Sequence, residues 1–379
     1  AQTTDNIRPA TYRRSRKLRY FNEPITTVLT NTPGKGYSTL EIAFLIAIGP
    51  ASRVVGPYLW GFFADRFDRR NFLIRILLSS AFLVFAVLYL DTIFIYLFCL
   101  LLFFHTLLSG VLPLFESATL EYLKDESHKY GLIRLWGSVG FALAVILGGI
   151  IFQEIGLDAF VSLTHICIFF AWTCLWWVPD QAPVKNTKLY VSTLFYFSEP
   201  GVKCLFLAFF FMQLSHGPFN TFYSIYLVEA GYSKSSVGLF WAVGVIAEIV
   251  LFIYLPYILK RGSLKSILNI SVVVAILRFI MIGWGVESTV VLFIAQLMHA
   301  VTFGAFHAAG LMAVHRLFGA NANSRGQALY SSLGYGAGGG LGAILAGLGW
   351  DRVSGEWVFT GAAAMAILSL LAIRNAKVL

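Results

Sequence analysis

From Leu40 to the C-terminus the chain is a succession of eleven apolar stretches. They lie near residues 40–62, 72–90, 93–120, 132–153, 158–178, 203–228, 236–258, 265–285, 289–313, 325–349 and 354–374. A helix of about 20 apolar residues crosses a bilayer. Lipid offers no partners to backbone N–H and C=O groups, and a helix satisfies them within itself. The expected fold class is therefore an all-α polytopic membrane protein with about eleven transmembrane helices and the bilayer as its surroundings. Only 12% of the residues are charged, whereas a soluble chain carries about 25%. The net charge of +9 is read as loop charge, and no nucleic-acid partner is expected. Cys99, Cys167, Cys174 and Cys204 sit in or beside apolar runs without metal-ligand or disulfide spacing, and read as packing residues.

Basic residues alternate between the two sets of connections. One set holds Arg66, Arg69, Arg70, Lys124, Lys129, Lys185, Lys188, Lys260, Arg261, Arg316 and Lys377; the other holds Lys234 and Arg352. The excess of Lys and Arg marks the first set as cytoplasmic. An internal repeat accompanies this pattern. Gly36-Tyr37-Ser38 and Gly231-Tyr232-Ser233 lie 195 residues apart, and the same offset puts Arg66 on Arg261 and Gly131 on Gly326. Two pseudo-symmetric bundles of six helices are the natural reading. The boundaries are a polar basic segment at 1–35, an N-terminal bundle at 36–178, a linker at 179–202 and a C-terminal bundle at 203–379. The 203–228 span shifted back by 195 residues lands on residues 8–33, which are polar and include Arg8, Arg13, Arg14, Arg16, Lys17 and Arg19. The expectation is that the first helix of the first bundle is absent or replaced here. A broken gene reading is preferred over a true eleven-helix protein.

Gly56–Arg75, GPYLWGFFADRFDRRNFLIR, joins the first two apolar spans by a tight charged loop. The pattern G-x-x-A-D-R-x-D-R-R resembles the signature loop of the major facilitator superfamily, with Asp68 where members usually have Gly. The stretches YGLIRLWGSVG (130–140), SHGPFNTFYSIY (215–226), AQLMHAVTFGAFHAAGLMAVHRLF (295–318) and GQALYSSLG (326–334) resemble the branch of the 3-phenylpropionate permeases. The resemblance implies a proton-coupled carrier in which two halves rock around a midplane site. It also implies a gate built from Asp65, Arg66, Arg69 and Arg70, with Asp65 facing a helix N-terminus that favours negative charge.

Polar groups inside spans are costly in lipid, so each is a site candidate. Arg53 and Glu248 occupy matched mid-span positions of the repeat, and Arg278 lies at mid-depth in the next span. Two readings stay open: Glu248 couples protons with Arg278 as counter-charge, or the two form a structural ion pair between adjacent helices. His105 and Glu116 project about 20° apart on one helix face and would both line a cavity. For Glu116 the rival reading is an ion pair with Arg134 or Arg53, and Glu121 at the water boundary reads as solvated. Gln296 and His307 are also about 20° apart in projection, with His299 within about 80° of both. Such a stripe serves proton relay or plain interhelical hydrogen bonding. His216-Gly217-Pro218 is expected to break the 203–228 span, because Pro removes a backbone donor. The glycines at 334–342 permit close helix approach.

The resulting expectation is a secondary transporter in the cytoplasmic (inner) membrane, taking up a small organic solute such as an aromatic carboxylate with protons. It needs no cofactor beyond the proton gradient and acts as a monomer. The alternatives are an efflux antiporter of the same fold and a nonfunctional truncated carrier. A membrane enzyme is disfavoured, since the chain has no zincin motif, no nucleophile elbow and no long catalytic loop.

Overall fold

The computed structural model describes residues 39–67, 69–90, 93–155, 159–178, 199–350 and 352–378. The expectations about residues 1–35, about most of the 179–202 linker and about Asp68 lie outside these residues. Helices α1 (Thr39–Phe67), α2 (Arg70–Ala86), α3 (Phe94–Leu123), α4 (Tyr130–Glu154) and α5 (Ala159–Cys174) make the first half. Helices α6 (Pro200–Glu229), α7 (Lys234–Arg261), α8 (Leu264–Trp284), α9 (Thr289–Leu297), α10 (Phe306–Tyr330), α11 (Gly339–Trp350) and α12 (Gly355–Asn375) make the second. Among the described residues, eight helices are long and apolar enough to cross a membrane.

Local sequence explains where the helices start. Ser233, Ser263 and Ser288 sit just before α7, α8 and α9, and each hydroxyl accepts a backbone N–H of the first turn. Pro200 opens α6, where its missing N–H costs nothing. The α9–α11 stretch is more complex. A π-helical turn at Ala300–Ala305 runs α9 into α10, and a second at Ser331–Gly338 runs α10 into α11. Between them Gly319 takes φ +58°, which a residue with a Cβ rarely adopts, and the chain doubles back. Across that bend Gln327 Nε2 donates to Leu311 O at 2.9 Å. Residues 289–350 thus make two passages, giving eleven in all among the described residues.

The expected break at His216-Gly217-Pro218 is not there: α6 runs unbroken from Pro200 to Glu229. The residues around the proline stay tied to the helix backbone. Ser215 Oγ donates to Met212 O, His216 Nδ1 bonds the same carbonyl, and Thr221 Oγ1 donates to Gly217 O. Gly217 acts through its size. A Cβ there would stand 2.2 Å from the carbonyl carbon of Gly342, so α6 and α11 touch backbone to backbone.

The second half contains the largest apolar core, with Phe209, Met212, Phe219, Phe279 and Phe306 all essentially inaccessible, and this core extends to Leu120 and Tyr130 of the first half. The first half has a smaller core around Ile74, Leu77, Phe85 and Phe104. Small residues let the halves meet. A Cβ on Gly61 would lie 2.7 Å from Ser324 O, one on Gly131 would lie 2.8 Å from Phe252 O, and one on Gly336 would lie 2.5 Å from Arg53 O. The Gly61 and Gly131 contacts lie toward the end that carries the basic loops. All four cysteines are free, and Cys99, Cys167 and Cys174 are exposed. Cys204 packs against the core as expected; for Cys99, Cys167 and Cys174 the expected role in packing is corrected, because a lipid-facing surface is as apolar as a core and an apolar run does not say which side a residue faces.

Candidate functional site

Two clusters of buried polar groups stand out, one between the halves and one within the second half. The first centres on Glu116 of α3 and His307 of α10. Their side chains meet at 2.9 Å, His307 Nε2 to Glu116 Oε1, and both are nearly inaccessible. Tyr130 Oη donates to the same carboxylate oxygen at 3.3 Å. On the far side of the imidazole, Nδ1 meets Tyr330 Oη at 3.1 Å and Tyr335 Oη at 2.9 Å. With Nε2 donating to the carboxylate, Nδ1 of the neutral ring accepts from the phenols. Glu116 and His307 belong to different halves, so the bond crosses the interface. The rival reading for Glu116, an ion pair with Arg134 or Arg53, is not met among the described residues. The partner of Glu116 lies 191 positions away, on a helix whose rotation no local pattern reveals.

Glu248 of α7 faces the same interface. It lies beside Ser138 and within electrostatic reach of Arg134 and His307. Arg134 also lies within electrostatic reach of Glu116, and its guanidinium lies 5.7 Å from the Phe252 ring centroid. The expected Glu248–Arg278 ion pair is absent. Consecutive helices joined by a short loop were expected to be neighbours, but α7 and α8 scarcely touch; α9 packs against both and stands between them. Arg278 instead donates to Ala295 O (2.9 Å) and Thr302 Oγ1 (3.2 Å), around α9.

The expected polar stripe on α9 and α10 is split as well. Gln296 and His299 precede the π turn at Ala300–Ala305 and His307 follows it. A projection at 100° per residue holds for a regular α-helix, and a π turn shifts the phase. His307 therefore faces the first half, while Gln296 is buried in the second with His216 and Arg278, beside the partly buried His299. His105 is placed apart from both clusters, half-buried between α3 and α1, where Gly49 lies beside its ring and Arg53 is within electrostatic reach. The Arg53 side chain is exposed, although its carbonyl packs against Gly336.

At the basic-loop end the halves are joined by Asp65 at the end of α1. Its carboxylate accepts the backbone N–H groups of Ser324 (3.2 Å) and Arg325 (3.0 Å). These lie in the first turn after the Gly319 bend, where a helix has unpaired N–H groups and the positive end of its dipole. Arg325 Nε donates to Asp65 at 2.9 Å and Arg70 lies at 3.5 Å. Arg70 also pairs with Glu121, so Glu121 is not the solvated group it was expected to be. Asn323 Nδ2 donates to Ser117 O at 3.2 Å. Arg66 and Arg69 are exposed. Arg325, Ser324, Tyr330 and Tyr335 were missed, yet all four lie in or within two residues of the GQALYSSLG stretch that carried the resemblance.

Comparison with known proteins agrees with this architecture. Residues 31–361 match the model of the MFS_1 like family. The chain is 26% identical over 317 residues to the probable 3-phenylpropionic acid transporter of Escherichia coli (strain K12), covering 80% of this chain and 80% of that protein. The solved structure of the human organic anion transporter MFSD10 aligns with a TM-score of 0.71 at 17% identity, covering 94% of this chain and 88% of that one. The nucleoside transporter NupG aligns with a TM-score of 0.61 at 19% identity, over 90% of this chain and 91% of that one. At these identities the two solved structures speak for the shared fold alone.

Proposed function

The chain belongs to the MFS_1 like family and is a secondary transporter, and from that premise we propose that it couples proton movement to uptake of a small organic solute, an aromatic carboxylate being the favoured class. The observation that carries the coupling is the Glu116–His307 hydrogen bond between the halves. Rocking of the halves around a central site has to break any bond that crosses the interface. A carboxylate and an imidazole hold each other most strongly when they share one extra proton as an ion pair, and His changes charge near neutral pH. Gain or loss of that proton therefore biases how easily the halves part. Glu248 and Arg134 stand close enough to exchange charge balance with the pair.

The Asp65 contacts with Ser324, Arg325 and Arg70 serve as the gate at the basic-loop end, which is cytoplasmic by the positive-inside rule. In this arrangement that gate is closed. The favoured solute class follows the name of the Escherichia coli relative. The protein acts as a monomer in the cytoplasmic membrane.

The test is uptake of radiolabelled 3-phenylpropionate and of a nucleoside into proteoliposomes holding the full-length protein, with and without an imposed pH gradient. Accumulation of the carboxylate only when the outside is acidic supports the proposal. Accumulation independent of the gradient overturns the coupling, and uptake of the nucleoside alone overturns the substrate class. Movement against an inward proton gradient marks an efflux antiporter instead.

A further inference from the structure

The second buried polar cluster has no part in the interface network. Its centre is Arg278 of α8, whose side chain is wholly inaccessible. A guanidinium keeps its proton, and an uncompensated charge in a low-dielectric interior carries a heavy penalty. Its Nε and Nη1 are used on Ala295 O and Thr302 Oγ1. Its carbon lies 4.0 Å from the Phe219 ring centroid and 5.7 Å from that of Phe279. These contacts stabilise a cation but bring no negative charge. Arg278 forms no ion pair with any described residue, and its Nη2 has no hydrogen-bond partner.

The surrounding polar atoms share this condition. His216 Nε2, His299 Nδ1, Tyr223 Oη and both amide atoms of Gln296 are buried without a partner. His216, His299 and Tyr223 all lie within electrostatic reach of Arg278. The rings pack into one assembly. Phe219 lies 4.8 Å from Tyr223 and 5.6 Å from His299, and His216 lies 5.1 Å from Phe279. Gln296 follows Ala295 in sequence, and its side chain stands within hydrogen-bonding reach of Tyr223 without reaching good hydrogen-bond geometry.

We propose that Arg278, Gln296, His299 and Tyr223 form a buried binding site for one singly charged anionic group, a carboxylate or a halide. Arg278 Nη2, Gln296 Nε2, Tyr223 Oη and His299 Nδ1 can each present a hydrogen, whereas His216 donates through Nδ1 to Met212 O and leaves Nε2 as an acceptor. An acceptor that carries negative charge answers both needs of the cluster, the open donors and the unbalanced guanidinium. Water answers only the first. A doubly charged anion would overcompensate a single Arg. Where the anion is the carboxylate of the transported solute, the inference rests on the function proposed above; where it is a halide, it stands without it.

The experiment is thermal unfolding of the purified full-length protein in detergent at constant ionic strength. Sodium chloride is titrated against sodium gluconate, and sodium benzoate against neutral benzyl alcohol. The expected result is a saturable rise in Tm of several degrees with chloride or benzoate, and none with gluconate or benzyl alcohol. A benzoate response alone identifies a solute-type carboxylate, and a chloride response alone an inorganic anion. Arg278→Gln should abolish the saturable rise. Gln296→Met keeps the side-chain volume and should raise the half-saturating concentration about tenfold, the worth of one charge-assisted hydrogen bond. It decides the matter if Arg278→Gln does not fold. No saturable rise in the wild type, or wild-type titrations in both variants, overturns the inference. Binding in detergent needs no gradient, so a protein that binds the anion yet shows no gradient-driven uptake keeps this site and loses the proposed coupling.

Discussion

Glu116 and His307 stand 191 positions apart in sequence and 2.9 Å apart in space, each on a different half of the molecule. Around them Tyr130, Tyr330 and Tyr335 supply the remaining hydrogen bonds, so the pair is enclosed and oriented rather than merely close. In the coupling proposed above, gain or loss of the proton that this pair shares changes how strongly the halves hold together at this point. The variants below separate that role from a purely structural one.

Glu116→Gln preserves shape and removes the charge. It should fold, exchange substrate across a liposome membrane and fail to accumulate it under an imposed pH gradient. His307→Leu leaves a buried carboxylate without its partner and should lower stability by about 3–5 kcal/mol, seen as a fall in Tm. Normal gradient-driven accumulation by Glu116→Gln would remove the pair from the coupling mechanism.

Glu248 and Arg278 occupy separate clusters, and their effects should be independent. The stability losses of Glu248→Gln and Arg278→Gln should add to within about 0.5 kcal/mol in the double variant. Glu248→Gln combined with Arg134→Gln should instead show a coupling of about 0.5–3 kcal/mol. The reverse pattern in the two double-variant cycles would contradict the packing of α9 between α7 and α8.

Asp65→Asn should weaken closure at the basic-loop end. The carboxylate accepts from two backbone N–H groups and from Arg325, and each hydrogen bond to a charged group contributes about 1.5–3 kcal/mol. Spin labels at positions 66 and 316 should report a larger share of long distances in the variant. An unchanged distance distribution would mean that Asp65 does not hold this end shut.

Gly217→Ala tests the backbone contact of α6 with α11. A Cβ there would meet Gly342 at 2.2 Å, whereas nothing lies within 4 Å of one added to Gly361. Overpacking at Gly217 should cost about 1–3 kcal/mol and lower Tm, while Gly361→Ala should be neutral or mildly stabilising. Equal Tm values for the two variants would show that the helices yield freely.

Orientation can be checked with single cysteines placed in a background lacking Cys99, Cys167, Cys174 and Cys204. An impermeant reagent applied to intact cells should label position 287 and spare positions 69 and 260. Labelling at 69 from outside would invert the assignment.

Much of this was legible in one dimension. The apolar spans and their order are local properties, because in lipid each segment satisfies its own backbone and its apolar length reports a crossing. The cost of polar groups in lipid likewise singled out Glu116, Glu248, Arg278 and His307 as buried. Which of them meet was decided by the tertiary structure. The π turn at Ala300–Ala305 changes the helical phase and sends His307 to the first half while Gln296 stays in the second. The insertion of α9 between α7 and α8 parts Glu248 from Arg278 despite the short loop between their helices. The partners of Asp65, at Ser324 and Arg325, exist only because Gly319 reverses the chain beside the end of α1. Spacing along one helix fixes angles about that helix alone. The rotation and crossing of two helices come from packing that spans the whole molecule, and that is where each pair in the site was set.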